Sequence, residues 1–453
     1  MQIVRMAESD TIKGRGRKGQ PKSDSCAAKM AGAACGLAVD IGTTTVVMGL
    51  YDLDSGERLA GLQEKNSQTL LGADVMMRLM HCQMGSQHTL EQRIREQIQN
   101  MAEQLCDGFC ALEQIKTIAV VGNTTMCHIF LGQDTSGLAG SPFRPAYRGI
   151  YRCKGSDIAL QEMKDTNVIV PAGIDAHVGA DAVSMICALQ LPETKETVLA
   201  VDIGTNAEIA LSCKGEISVC SAPAGPAFEG AQISQGMRGE PGAIAGMHIA
   251  RQSGNILLEA IPDDRRNVYP VRGICGSGLI DSIASLRQSD ILQPDGYLLC
   301  DPEEADRLGI PRYLRERITE KGFLVYLDPG GQQVCLTQKD IRQFQLAKAA
   351  VQAGIRMLLE QKGLALQQVD RIYIAGVFGG HISKKSAVLT GLFPDIAPEK
   401  LVIAGNAAGE GAARALLSEV FLRQTEQVGT FSTGSSSILV RLALAVNTAS
   451  IYC

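Results

Sequence analysis

Short apolar runs that end at glycine set the plan of this chain from residue 37 onward. Residues 37–41 are apolar except for Asp40, Gly42 breaks the run, and residues 44–51 resume it. Asp54-Ser-Gly56 then gives a hairpin signal before a third run near 57–62. The pattern predicts a three-stranded meander. It returns in the same order at 198–203, 207–213 and 216–222, with Lys214-Gly215 as the hairpin turn. The two meanders open on related wording, Leu37-Ala-Val-Asp-Ile-Gly-Thr-Thr-Thr-Val46 and Leu199-Ala-Val-Asp-Ile-Gly-Thr-Asn-Ala-Glu208. The chain therefore reads as two copies of one unit, roughly 160 residues apart.

Elsewhere the period changes. Residues 90–109 place Ile94, Ile98, Met101 and Leu105 at helical spacing, and 115–121 is an apolar run ending at Gly122, which predicts a helix and then a strand. Gly122-Asn-Thr-Thr-Met-Cys-His128 opens a further helix, its Asn and Thr side chains suited either to capping amides or to lining a cleft. Residues 168–170 form a strand stopped by Pro171, 179–187 a small-residue helix, and 191–197 the link to the second copy. In the second half, 222–230 and 273–281 are Gly-dense loops entering helices, where backbone can approach a ligand closely. A long helix over 339–362 starts at a capping pair, Thr337 and Asp340. Its apolar face is Ile341, Phe344, Ala347, Val351, Ile355 and Leu358, and it stops at Gly363. A buried strand at 371–375 runs into Gly376-Val-Phe-Gly-Gly380, and 405–413 repeats the small-residue helix of 179–187.

Composition narrows the class. A length of 453 residues suits two or three domains of about 100 to 200 residues each. With 45% apolar and 20% charged residues and no run near the roughly 18 apolar residues that span a bilayer, a soluble α/β chain without a membrane partner is expected. A net charge of -5 leaves no electrostatic footprint for nucleic acid. The seven Lys/Arg against three acids in residues 1–36 mark a basic arm, expected to be disordered. Fourteen scattered cysteines without a Cys-x-x-Cys pair, and no apolar leader, point to free thiols in a reducing cytoplasm. Cys106 and Cys110, one helical turn apart, are read as buried thiols rather than a metal pair, because their helix is otherwise apolar there.

The chemistry sits in the repeat. In each copy an apolar strand delivers one carboxylate, Asp40 or Asp202, just before a Gly-Thr turn whose amides can face phosphate oxygens. Two such turns face to face would grip a polyphosphate and its Mg²⁺. The full order is Asp-x-Gly-Thr, small-residue helix, Asp-x-Gly-Thr, strand-Gly-x-x-Gly-Gly, small-residue helix. This series resembles that of the actin-like ATPase (ASKHA) superfamily. Within it, Asn66-Ser-Gln68, Gly72-Ala-Asp-Val75, Val121-Gly-Asn-Thr-Thr-Met126, Ser141-Pro-Phe143, Ala224-Gly-Pro-Ala-Phe-Glu-Gly230, Gly273-Ile-Cys-Gly-Ser-Gly278 and Leu346-Ala-Lys348 look like the ATPase domain of the reductive activators of corrinoid proteins.

The resemblance implies two duplicated ribonuclease-H-like domains around a nucleotide cleft, over 37–195 and 196–420. The C-terminus departs from it, since Phe431-Ser-Thr-Gly-Ser-Ser-Ser437 lacks the hydrophobic strand pattern that would close such a domain, and 421–453 is expected to be an irregular tail. It implies ATP and Mg²⁺ as cofactors, with Asp40 and Asp202 holding the metal through its waters. Gly42, Thr43, Thr44 and Thr45 in the first turn, and Gly204, Thr205 and Asn206 in the second, would contact phosphates. Gly225, Gly276 and Gly278 would give close backbone approach, and Gly376, Gly379 and Gly380 would lie against adenosine. Asp40, Asp202, Glu208 and Glu229 form the catalytic set, with Asp181 a further acid able to orient water. Such activators use ATP to push an electron onto a Co(II) corrinoid and restore Co(I). The plant-type Cys-x₅-Cys-x₂-Cys spacing that normally precedes the ATPase part is absent from these residues, so no iron-sulfur cluster is expected in the chain. Electrons would come from a separate ferredoxin, or the chain would be a truncated remnant. The partner is then a corrinoid protein, with a homodimer left open. A sugar or acid kinase of the same superfamily and a non-catalytic ATP-gated regulator are the competing readings.

Overall fold

A computed structural model describes residues 2–6, 34–250, 255–262, 271–376, 382–430 and 440–442. The duplication seen in the sequence is a duplication of topology. In the first half, β2 (Cys35–Ile41), β3 (Thr45–Asp52) and β4 (Arg58–Lys65) form the meander, and β5 (Ile115–Gly122), β6 (Tyr151–Lys154) and β7 (Asn167–Val170) extend it in the order β4-β3-β2-β5-β7-β6. In the second half, β8 (Thr197–Ile203), β9 (Ala207–Cys213), β10 (Glu216–Ala222), β17 (Arg371–Ala375) and β18 (Leu401–Gly405) give β18-β17-β8-β9-β10. Antiparallel hairpins join the meander strands, while β2·β5, β5·β7, β8·β17 and β17·β18 run parallel and need helical crossovers. β8 is apolar on both faces because helices cover it, so its one carboxylate emerges only at the strand end.

Helices fill the crossovers, α1 (Val75–His81), α2 (Gln87–Cys106), α3 (Thr124–Leu131), α4 (Ala180–Ala188), α5 (Gly276–Gln288) and α6 (Gln338–Gln361), and all but α1 lie where the sequence predicts a helix or a loop entering one. α6 buries Ile341, Phe344, Ala347, Val351, Ile355 and Leu358, and Gly363 follows with φ +65. Its capping box is formed, and the fully buried Asp340 carboxylate also accepts from the Ser234 amide at 2.7 Å. A cap of this kind contributes about 1 kcal/mol. α2 ends at Cys106. The Cys106 and Cys110 Sγ atoms lie 3.5 Å apart beside Cys35, whose thiol burial pushes up to about 12.

Two elements fall outside the sequence-derived domain plan. α7 (Ala407–Leu417) and α8 (Glu419–Thr430) follow β18 of the second sheet yet pack on the first core, α7 against α4, β2 and β5. Residues 405–420 therefore do not all belong to the second domain. The return is possible because α7 is made of small residues: a Cβ at Gly411 would fall 2.5 Å from that of Ser184 in α4, a closeness only glycine permits. Nor is the segment after 420 irregular throughout. Phe421, Leu422, Thr425 and Val428 line the buried face of α8, and β19 (Val440–Leu442) pairs parallel with β10. The Phe431–Ser437 stretch behind the tail expectation lies outside the described residues.

The expected basic arm also needs correction at its start. Residues 2–6 are a strand, β1 (Gln2–Met6), parallel to β12 (Ile256–Ala260) in a small sheet with β11 (Ala243–Ile249) and β13 (Gly273–Ile274). Five residues that pair through backbone bonds leave little trace in a composition dominated by the Gly/Lys run after them. Residues 7–33 lie outside the described set. Among the described residues, no helix is long and apolar enough to cross a membrane.

Candidate functional site

The two Asp-Ile-Gly-Thr turns meet at the ends of β2 and β8. The Thr44 and Thr205 hydroxyl oxygens are 2.8 Å apart. Their frames differ by one residue: Ile41 pairs with Val46 across the first turn, whereas Ile203 pairs with Ala207 across the second. The longer first turn is held by its flank. Asn66, fully buried after β4, donates through Nδ2 to Gly42 O at 2.8 Å and through its amide to Thr44 O at 2.8 Å. Arg78 of α1 donates to Thr43 O, and Asn123, the cap of α3, donates to Thr43 Oγ1 at 3.1 Å. All three turn carbonyls are engaged, so the loop is organised before any ligand arrives.

The second turn is held by Glu229, which accepts from the Thr205 amide at 2.9 Å and hydroxyl at 3.2 Å. Glu229 braces the turn rather than capping the next helix. Gly204 and Asn206 close the turn through a 3.0 Å backbone bond, and Gly225, with φ +77, donates to Thr205 O. Gly376, with φ +109, abuts this turn: a Cβ there would lie 2.6 Å from Ile203 O and 3.0 Å from Asp202 Oδ1. Gly42 has a similar need, since its Cβ would meet Thr45 O at 2.6 Å. Gly276 and Gly278 answer to packing, their Cβ positions falling 1.8 Å from Phe228 O and 2.1 Å from Ile244 O. Gly379 and Gly380 lie outside the described residues. Thr45 opens β3.

Around these turns sits a group of carboxylates. Asp202 and Glu208 are directly opposed across β8 and β9, a pairing that repels when both ionise. The first copy has Val47 opposite Asp40, so the repeat is chemically asymmetric. Burial pushes Asp40 up to about 6, opposed by a bond from Asn406, whose Nδ2 donates to Asp40 Oδ2 at 2.9 Å. Asp181, at the start of α4, is pushed up to about 7 by burial and the nearby Asp40 charge. Asp202 and Glu208 rise well above the usual carboxylate range, first through burial, and then Asp202 through the charges of Asp40, Asp181 and Glu229 and Glu208 through those of Asp181 and Asp202. Glu229 is raised less, because Thr44, Thr205 and the Arg78 charge favour its ionised form.

Such a concentration of hard anionic oxygen fits a divalent cation with much of its water shell. Among the described residues no three His, Cys, Asp or Glu side chains converge on a metal-sized point. Asp40 and Asp202 are the pair from opposite halves. A bound Mg²⁺ would supply charge neutralisation of phosphate oxygens.

Sequence reasoning named the turns and the acids but missed two side chains. Arg78 is fully buried and bonds Gln68 Oε1 and Gly72 O, both at 3.1 Å, as well as Thr43. Its helix reads as a short apolar run, with nothing local to show that the one cation turns inward. Asn406 lies in the Gly405-Asn-Ala-Ala-Gly409 wording and is a cap by residue type, but its reach to Asp40, 366 positions away, has no sequence signal.

Comparison with known proteins agrees with this geometry. Residues 35–194 match the family described as the RACo middle region, and residues 196–433 the C-terminal domain of RACo, the ASKHA domain. The chain is 34% identical over 397 residues to the corrinoid activation enzyme RamQ of Eubacterium limosum, covering 85% of this chain and 64% of that protein. It is 26% identical over 400 residues to the [Co(II) methylated amine-specific corrinoid protein] reductase of Methanosarcina barkeri, with 82% of this chain and 68% of the relative covered. The solved structure of a reductive activator for corrinoid, iron-sulfur protein superposes with a TM-score of 0.81 and 31% identity, covering 92% of this chain and 64% of the other. The chain thus spans about two-thirds of the length of these relatives. With both regions matched in order and the two turns brought together, the chain belongs to the RACo family and carries its middle region and its ASKHA domain.

Proposed function

We propose that this chain is the ATPase module of a reductive activator: ATP hydrolysis in its cleft drives transfer of one electron to a Co(II) corrinoid protein, giving Co(I). The electron comes from a ferredoxin-type donor, so ATP supplies the driving force and not the reductant. The observation that carries the reading is the meeting of Thr44 and Thr205 at 2.8 Å beneath Asp40 and Asp202, two duplicated phosphate turns with a carboxylate behind each. The corrinoid-directed activities of the relatives support the corrinoid partner.

Each group has work that suits its environment. Asp40 and Asp202 take the cation, which offsets the burial that raises both and, at Asp202, the repulsion of the neighbouring acids. Thr43, Thr44 and Asn206 offer hydroxyl and amide groups to phosphate oxygens. Asp181, pushed up to about 7 by burial, suits acceptance of a proton from the attacking water, and the Glu208 carboxylate accepts from Ser221 Oγ at 3.1 Å. Glu229 keeps the second turn in shape. Coupling follows if the corrinoid protein binds one closure state of the two halves better than the other. A tenfold bias needs about 1.4 kcal/mol of differential affinity.

The test is ATP turnover by the purified chain with and without a Co(II) corrinoid protein, together with loss of the Co(II) paramagnetic signal when a low-potential ferredoxin is added. Stimulation by the corrinoid protein is the expected result. Turnover stimulated only by a sugar or a carboxylic acid overturns the reading in favour of a kinase.

A further inference from the structure

Asn406 stands where the chain leaves β18 of the second sheet and enters α7 on the first core. Its amide makes two bonds in opposite senses: Oδ1 accepts from the Gly409 amide at 2.7 Å, and Nδ2 donates to Asp40 Oδ2 at 2.9 Å. The backbone amide can only donate, and a carboxylate oxygen receives the other bond, so both ends of the side chain are assigned by their partners. Gly409 makes room for this arrangement, since a Cβ there would fall 2.7 Å from Nδ2 and 2.9 Å from Cγ of Asn406. The duplicated partner of this corner is different. α4, the small-residue helix of the first half, begins at Gly179 with no side-chain cap. The helix that follows the second sheet thus ties the first half's strand-end carboxylate through its cap, whereas the corresponding helix of the first half begins on a residue with no side chain to give.

We propose that Asn406 is a positioning residue for Asp40, fixing that carboxylate for the cation of the nucleotide through a cap built at the crossover between the two halves. The inference rests on the nucleotide reading above. The first turn and its carboxylate are held in place by Asn66, Arg78, Asn123 and Asn406. Because Asn406 is also the crossover residue, any rotation of β18 against α7 moves the amide that holds Asp40.

The test separates capping from positioning. Asn406→Ser keeps a strong N-cap but is too short to reach Asp40; Asn406→Thr is a second cap-competent variant should the serine protein fold poorly. Thermal unfolding, the Mg²⁺ dependence of ADP binding by calorimetry, and steady-state ATP turnover are measured on the full chain. A positioning role leaves the unfolding midpoint near that of the unmodified protein, raises the Mg²⁺ concentration for half-maximal ADP binding about tenfold, and lowers kcat by a similar factor, the scale for losing a hydrogen bond to a charged group. The ATP KM at saturating Mg²⁺ stays close to its original value. A folded variant with unchanged Mg²⁺ dependence and unchanged kcat overturns the proposal, as does a lowered midpoint with normal Mg²⁺ dependence, which would make Asn406 a cap alone. If the unmodified chain binds Mg²⁺-ADP without turning over ATP, hydrolysis fails as a reading while Asn406 is still judged by the binding curve. If it binds no nucleotide, both fall.

Discussion

The hydroxyls of Thr44 and Thr205, 161 positions apart in the chain, lie 2.8 Å from one another, both buried. They come from equivalent turns in duplicated halves, so this bond is the point where the repeat closes on itself. Thr205 also bonds Glu229, which gives it two tasks, whereas Thr44 Oγ1 joins the same network from the other side. Replacement of Thr205 by valine keeps the volume but leaves Glu229 without one of its donors. ADP affinity in the presence of Mg²⁺ should fall about tenfold, corresponding to about 1.4 kcal/mol. Calorimetric titration measures it, and undiminished affinity would remove the second turn from the phosphate site.

Asp202→Ala removes a carboxylate from a crowded anionic group and no core volume. ATP hydrolysis should be lost by at least about a hundredfold, the scale for deleting a preorganised electrostatic group. The unfolding midpoint should hold or rise, because Glu208 opposite loses its repelling neighbour. A variant that retains normal turnover would refute the assignment of Asp202 to the cation.

Arg78 carries a structural cost that its exposure-free position makes predictable. Arg78→Met leaves the carbonyls of Thr43 and Gly72 without their donor and removes the cation that faces Glu229. Destabilisation of about 3 kcal/mol or more is expected, the usual consequence of orphaning buried polar partners. Denaturant unfolding measures it. A loss below about 1 kcal/mol would show that the first turn does not depend on α1.

Asp281 in α5 provides a pH test away from the cleft. Burial pushes its carboxyl up to about 6, and its Oδ1 has no hydrogen-bond partner among the described residues. A folded-state value above the unfolded value means that the folded chain binds the extra proton between about pH 4 and 6, so stability falls as pH rises through that window. Asp281→Asn should therefore stabilise the chain by about 2 kcal/mol at pH 7.5 and by nothing measurable at pH 4. Equal midpoint shifts at the two pH values would contradict the burial of this group.

Much of this molecule could be read from the order of its residues. Each meander is a local object, with strand period, hairpin turn and terminal carboxylate within about 25 residues, so both copies appear at the predicted places. The helix at Gln338–Gln361 is legible for the same reason, since its cap, apolar face and stop signal all lie inside its own span. The domain plan was less legible. A small-residue helix signals close packing but not the partner it packs against, and α7 chose α4 of the other half.

The sequence by itself determined the duplication and the two Asp-Ile-Gly-Thr turns that end their strands on Asp40 and Asp202, because these depend on near neighbours and backbone geometry. Only the tertiary structure decided that Glu229 braces Thr205, that Arg78 turns inward to hold Thr43, and that Asn406 reaches Asp40. Those relationships depend on where the chain returns after a long excursion. The return is set by shape complementarity between whole helices and sheets, a property that no local period encodes.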